Sequence, residues 1–166
     1  MKIVIAGAGE VGTHLAKMLT NEDHDIVLMD SDAEKLRNLS DQLDLLTITG
    51  SANSFIDLHN AGVNKADLLI AVTPYEERNI LACIMAKEMG IKKAVARINN
   101  GEYLLPQNKE KIKKMGVDEL FYPESLAGKE VASSVKQVGT RQLIEFSRWK
   151  TYFDGNKNPG KCAYPK

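Results

Sequence analysis

Residues 2–12 read KIVIAGAGEVG, an unbroken apolar run that passes straight into Gly7, Gly9 and Gly12 at the spacing G-x-G-x-x-G. A central parallel strand is buried on both faces and can be apolar throughout, so Lys2 to Ala6 reads as such a strand. The three glycines answer separate needs. Gly7 serves the tight turn out of the strand, Gly9 lets backbone approach a pyrophosphate, and Gly12 lets the next helix pack on the sheet. The helix that follows aims its first N–H groups and the positive end of its dipole over Gly9, so an anion is expected there.

The glycine triad is weak evidence without its context, which is a strand before it, a helix after it, a second strand, and an acidic residue about 20 residues on. All four are present. Val11, Leu15 and Met18 or Leu19 make the apolar stripe of a helix, DIVLM (25–29) makes a second strand, and Asp30 closes it. At that strand's carboxyl end a carboxylate can accept hydrogen bonds from an adenosine ribose. The alternative is that Asp30 only opens the next helix, although Ser31 and Glu34 already offer an S-x-x-E capping box.

Outward from this unit, strand and helix alternate. Strands are expected at Lys2 to Ala6, Asp25 to Met29, Leu45 to Thr49, Asp67 to Val72, Ala94 to Ile98 and Glu119 to Tyr122. Helices fall at about 10–20, 32–43, 54–61, 75–89, 107–115 and 125–138. Thr73 and Glu76 read as a capping box around Pro74, Ser54 and Ser125 as N-caps, and Gly62, Gly90 and Gly116 as helix ends. The fold class is therefore α/β, a Rossmann-like doubly wound parallel sheet of six strands in the order 3-2-1-4-5-6. One nucleotide-binding domain is expected over 1–140. Residues 141–166 read as a linker or irregular tail, because from Arg148 the text RWKTYFDGNKNPGKCAYPK shows no helical or strand period.

Composition removes several function classes. Lys and Arg total 22 against 22 Asp and Glu in 166 residues, so no basic face for nucleic acid is expected. Two cysteines, Cys83 and Cys162, form neither a disulfide framework nor a zinc site. The first apolar run is too short for a signal peptide, and no stretch approaches the roughly 20 residues of a membrane span, so the chain reads as soluble and cytoplasmic. His14, His24 and His59 lack partners at fixed spacing and read as structural. KEKIKK (109–114) reads as a solvated helix face, and Met85 and Met89 as core.

The ordered motifs KIVIAGAGEVG, IVLMDSD, TITGSAN, AGVNKADLLIAVTPYEERNILACIMAKEMG, AVARINNGEY and ELFYPES resemble the nucleotide-binding N-terminal unit of TrkA-type peripheral subunits of Trk potassium-uptake systems. These are relatives of the RCK or KTN domains that regulate potassium channels. The likeness covers about residues 1–147. It implies NAD(H) as ligand, with ATP or ADP as alternatives. It also implies a homodimer or higher homo-oligomer, and a potassium-transporting membrane protein as partner, bound at the inner face of the cell membrane. Two departures stand out: Ser51 follows Gly50 where the family often has an acidic residue, and the chain holds one such unit where the full subunit holds two, as a fragment or truncated relative would.

In a doubly wound sheet the ligand lies across the strands' carboxyl ends, where strand order reverses. The candidate binding residues are Gly7, Ala8, Gly9, Glu10, Val11 and Gly12 from the first strand's turn, and Asp30 and Ser31 from the second. Gly50, Ser51 and Ala52 follow the third strand, Thr73 and Pro74 the fourth. Gly50 to Ala52 either lie beside adenine or form a simple turn. Arg97, a cation in the apolar strand AVARI, needs a partner. A phosphate would serve, as would Glu76, Glu77 or Glu102. Asn79 matches a family position facing the site, although by its own chemistry it could equally be an exposed polar residue.

Two functions follow. A nucleotide sensor would bias an attached assembly by binding two arrangements unequally. A dehydrogenase cofactor half would need an acid or base and a substrate domain, neither of which is evident. The sensor is preferred, and the helix Ile80 to Met89 is the expected pairing surface.

Overall fold

The computed structural model describes residues 1–22, 24–40, 43 and 45–123, together with the strands at 143–146 and 149–152. Two compact units divide after Pro123. In the first, β1 (Lys2–Ala6), β2 (Asp25–Asp30), β3 (Leu46–Thr49), β4 (Leu68–Ala71), β5 (Lys93–Arg97) and β6 (Glu119–Phe121) form one sheet in the order β3-β2-β1-β4-β5-β6. Every neighbouring pair is parallel. The class and strand order expected from the sequence are those observed.

Between the strands lie α1 (Glu10–Thr20), α2 (Ala33–Ser40), α3 (Phe55–Asn60), α4 (Glu76–Glu88) and α5 (Pro106–Lys114). The alternation within β1 shows why both faces must be covered. Val4 and Ala6 join one core with Leu58 of α3 and Ile80, Cys83 and Met85 of α4, whereas Ile3 and Ile5 join another with Ala16 of α1 and Leu36 of α2. With no polar face to turn to water, β1 is stable only at the centre of a two-sided sheet. On α1 the stripe resolves to Val11, Leu15 and Leu19, with Met18 exposed. The α5 lysines are exposed while Ile112 packs inward, as expected of a solvated face.

Two helix starts differ from the sequence expectation. At α2 the cap is Asp32, whose Oδ1 accepts from the N–H groups of Glu34 and Lys35, because the helix begins at Ala33 and leaves Ser31 one position too early. At α4 the box of Thr73 and Glu76 does not form. The helix begins only at Glu76, after Tyr75, so Glu76 stands in the first turn and its Oε2 accepts instead from the N–H groups of Asn99 and Asn100, at 2.7 and 2.8 Å. Ser54 does cap α3, accepting from Asp57 N–H. The helix expected at 125–138, with Ser125, lies outside the described residues.

In the second unit, β7 (Leu143–Phe146) pairs antiparallel with β8 (Trp149–Tyr152). The stretch from Arg148, irregular by its sequence pattern, therefore contains a strand. Four residues are too few to display a period, but Trp149, Thr151 and Tyr152 are all strand-favouring types.

Candidate functional site

A cavity of about 340 Å³ opens at the carboxyl ends of β1 to β4, beside the point where strand order reverses. Gly7, Asp30, Ser31, Gly50, Ser51, Ala52, Thr73 and Pro74, eight of the residues expected from sequence, line it together. Ala8, Gly9, Glu10, Val11, Gly12, Asn79 and Arg97 do not.

The glycine turn is built tightly. Gly7 has φ +115°, in the region that disfavours side chains, and a Cβ there would sit 2.9 Å from Thr73 N. A Cβ on Gly12 would fall 1.8 Å from the Gly7 carbonyl oxygen, so α1 rests directly on the turn. Gly9 is the opposite case. It is the N-cap residue of α1, in extended backbone, and a Cβ there would meet nothing within 4 Å. The space over Gly9, at the N-terminus of α1, is therefore open.

Asp30 ties this turn to the end of β2. Its Oδ2 accepts from Ala8 N–H at 2.6 Å and its Oδ1 from Asp32 N–H at 2.9 Å. Each carboxylate oxygen retains a second lone pair, so the group can hold the loop and accept from a ligand hydroxyl as well. At the end of β3, where Ser51 replaces the family's frequent acidic residue, a carboxylate arrives from elsewhere. Asp57, from the first turn of α3, accepts Ser51 N–H on Oδ2 at 2.8 Å, and its Cβ lies where a Gly50 side chain would have to go. Sequence reasoning passes over Asp57 because its target lies six positions back, across a turn.

Asn79 is 0% exposed and its amide is fully engaged. Oδ1 accepts from Thr73 N–H at 2.9 Å and Thr73 Oγ1–H at 2.6 Å, while Nδ2 donates to the carbonyls of Thr73 and Arg97, each at 2.9 Å. It therefore positions the ends of β4 and β5 and offers no polar group to a ligand. Glu76 reinforces the same junction, as does Asn99, which donates to the Pro74 carbonyl at 3.1 Å. Arg97 is half-buried at the end of β5, where its carbonyl takes the Asn79 bond.

The remaining lining residues are Met29, Asp32, Lys35, Tyr75 and Arg78. Lys35 pairs with Asp32 at 3.6 Å, and hydrogen bonds from the Lys35 and Glu34 backbone hold the Asp32 carboxyl below its usual range. The Arg78 guanidinium lies 4.3 Å from the centroid of the Tyr75 ring. Sequence reasoning misses Arg78, because the run EER carries no sign of which of its charges faces the cavity. The Cys83 thiol, by contrast, is buried away from any site and pushed up to about 12 by desolvation, so it stays protonated.

Comparison with known proteins agrees with this architecture. The family model for the TrkA-N domain matches residues 3–123. The chain belongs to the TrkA-N domain family. A Trk system potassium uptake protein TrkA of Vibrio alginolyticus is 40% identical over 154 residues, covering 90% of this chain and 33% of that protein. The chain thus spans about a third of the length of the first curated relatives it matches. Among solved structures, the TrkA-N domain of the Escherichia coli inner membrane protein ybaL superposes with a TM-score of 0.67 at 18% identity, covering 82% of this chain and 95% of that one. A GsuK channel bound to NAD superposes with a TM-score of 0.61 at 18% identity, covering 74% and 21%. At these identities the structures share the fold.

Proposed function

We propose that this TrkA-N domain is the nucleotide-sensing part of a Trk-type potassium-uptake regulator. It binds NAD(H), in competition with ATP or ADP, across the ends of β1 to β4, with pyrophosphate over Gly9 and the adenosine ribose on Asp30. The observation that carries this reading is the Asp30 carboxylate, fixed against Ala8 N–H at 2.6 Å on the wall of the cavity. That bond sets the ribose acceptor and the phosphate turn in one frame. The TrkA name of the Vibrio relative and the NAD in the GsuK channel support it.

The domain turns nothing over. Among the described residues Lys35 is the one lysine lining the cavity, and it is paired with Asp32 at the ribose end rather than placed as a base. Binding acts by population shift: nucleotide favours one arrangement of paired domains, and the difference in affinity biases a potassium-transporting membrane protein to which they are docked. The attachment runs through that partner, at the inner face of the cell membrane; no described helix is long and apolar enough to cross a membrane. Pairing through α4 uses Leu81, which is exposed, whereas Ile80, Ala82, Cys83, Met85 and Ala86 belong to the domain's own core.

Titrating the purified chain with NADH, NADPH, ATP and ADP in competition tests the reading. A hydrogen bond to a charged group contributes about 1.5–3 kcal/mol, so Asp30→Ala should weaken NADH by about one to two decades. NADH should bind more tightly than NADPH, whose 2′-phosphate would meet Asp30 and Asp32. Equal affinity for the two counts against the ribose assignment. Steady loss of nicotinamide absorbance with small ketones or 2-oxo acids would instead make the chain the cofactor half of a dehydrogenase.

A further inference from the structure

Two cations line the cavity, and they differ in their circumstances. Lys35 has Asp32 at 3.6 Å, whereas Arg78, among the described residues, has no carboxylate partner and is held only by the face of Tyr75. Tyr75 is itself 50% exposed, so the stacked pair is open to a ligand in the cavity it lines. The pair stands at the start of α4, on the wall contributed by β4, with Asp30 and Ser31 and the Gly50–Ala52 backbone lining the same cavity from β2 and β3.

Which part of a nucleotide would meet this wall follows from what the cavity lacks. Gly9, Glu10, Val11 and Gly12, where phosphate is drawn, do not line it, while the ribose acceptor Asp30 and the small residues after β3 do. The cavity is the adenosine half of the site. A guanidinium already stacked on one ring presents a second planar face, and a planar, weakly hydrated cation is well suited to lie over a purine.

Resting on the nucleotide reading above, we infer that Arg78, pre-stacked on Tyr75, is a base-stacking residue. It closes over the adenine of the bound ligand to form a ring–guanidinium–base sandwich, and so sets affinity for the nucleoside rather than for its phosphates. Such a contact does not read the base edge and leaves the phosphate count irrelevant.

The test is calorimetry of wild type, Arg78→Ala and Arg78→Lys with adenosine, AMP and ADP. Arg78→Ala should weaken all three by the same factor, about tenfold, and Arg78→Lys should restore little of it, since lysine keeps the charge and loses the plane. A loss that grows from adenosine to ADP, or full recovery in Arg78→Lys, would make Arg78 a phosphate cation and overturn the inference. Unchanged affinity in Arg78→Ala overturns it as well, with the nucleotide reading intact. A wild-type chain that binds none of the three overturns the nucleotide reading itself, and the inference with it.

Discussion

Gly9 and Gly12 stand three residues apart in one motif, yet the structure gives them opposite vulnerabilities, and a pair of substitutions separates folding from binding. In Gly12→Ala the new Cβ lies 1.8 Å from the Gly7 carbonyl oxygen, and the turn has little room to retreat because Gly7 sits so close to the β4 end that even a Cβ on it would meet Val72 and Thr73 backbone at 2.9 Å. Overpacking of this kind costs about 3 kcal/mol, at the upper end of its usual range. Native domains have only about 5–15 kcal/mol in hand, and for a chain of this length the loss corresponds to a Tm lower by roughly 10 °C. In Gly9→Val the side chain enters open space from extended backbone, so the fold should change by no more than about 1 kcal/mol. That open space is where the pyrophosphate must approach. Displacing it forfeits at least two hydrogen bonds to a charged group, about 3 kcal/mol or more, so the NADH dissociation constant should rise by about two decades or more. Circular-dichroism melting and calorimetry on the same preparations read both quantities. A Gly12→Ala chain that melts with wild type would show that the turn yields where the geometry says it cannot. Unchanged NADH affinity in folded Gly9→Val would remove the pyrophosphate from Gly9 altogether.

Three further outcomes follow from named contacts. Asn79→Leu strips the partners from Thr73 N–H and the Thr73 and Arg97 carbonyls around a buried side chain, and should lower stability by about 2–3 kcal/mol in urea unfolding; a change under about 1 kcal/mol would mean that water takes over those bonds. Arg97→Ala should weaken ADP more than adenosine if the guanidinium serves phosphate, and an equal loss for both would assign it to a structural ion pair. At Asp118, burial opposes ionisation, but Lys87 Nζ at 2.7 Å and the Ala94 N–H outweigh it and hold the carboxyl below its usual range. A depressed carboxyl stabilises above its unfolded value and loses that contribution as pH falls below about 4. After solvent screening the contribution is about 1 kcal/mol at most, so Asp118→Asn should flatten the acid side of the stability profile by that much and leave neutral-pH nucleotide affinity unchanged.

The sheet was legible because its signal is local. Strands such as β1 and β2 are short apolar runs bounded by turn residues, and no other element type of five or six residues reads that way. The candidate wall was legible for the same reason, since strand ends are fixed once the strands are. Element starts were less so: Asp32 and Ser31 are equally good caps, and the choice between them turns on one residue of helix length.

What the sequence concealed shares one form. Asn79 reaches the Arg97 carbonyl 18 positions on, Glu76 reaches Asn99 N–H 23 positions on, and Asp30 reaches back 22 positions to Ala8 N–H. Each is a side chain at a strand end or early in the following helix that holds the backbone of a neighbouring strand's loop, and no period within one element reveals it. In sequence such a residue looks like a polar position on a solvated face, which is how Asn79 could be read. Yet Asp30 ties the β1 turn to the end of β2, and Asn79 and Glu76 tie the start of α4 to the end of β5, because loops have no ladder of their own to pair with. The junction of the β4 and β5 ends is therefore held by a few side-chain-to-backbone bonds, that of Glu76 exposed to solvent, rather than by the apolar core.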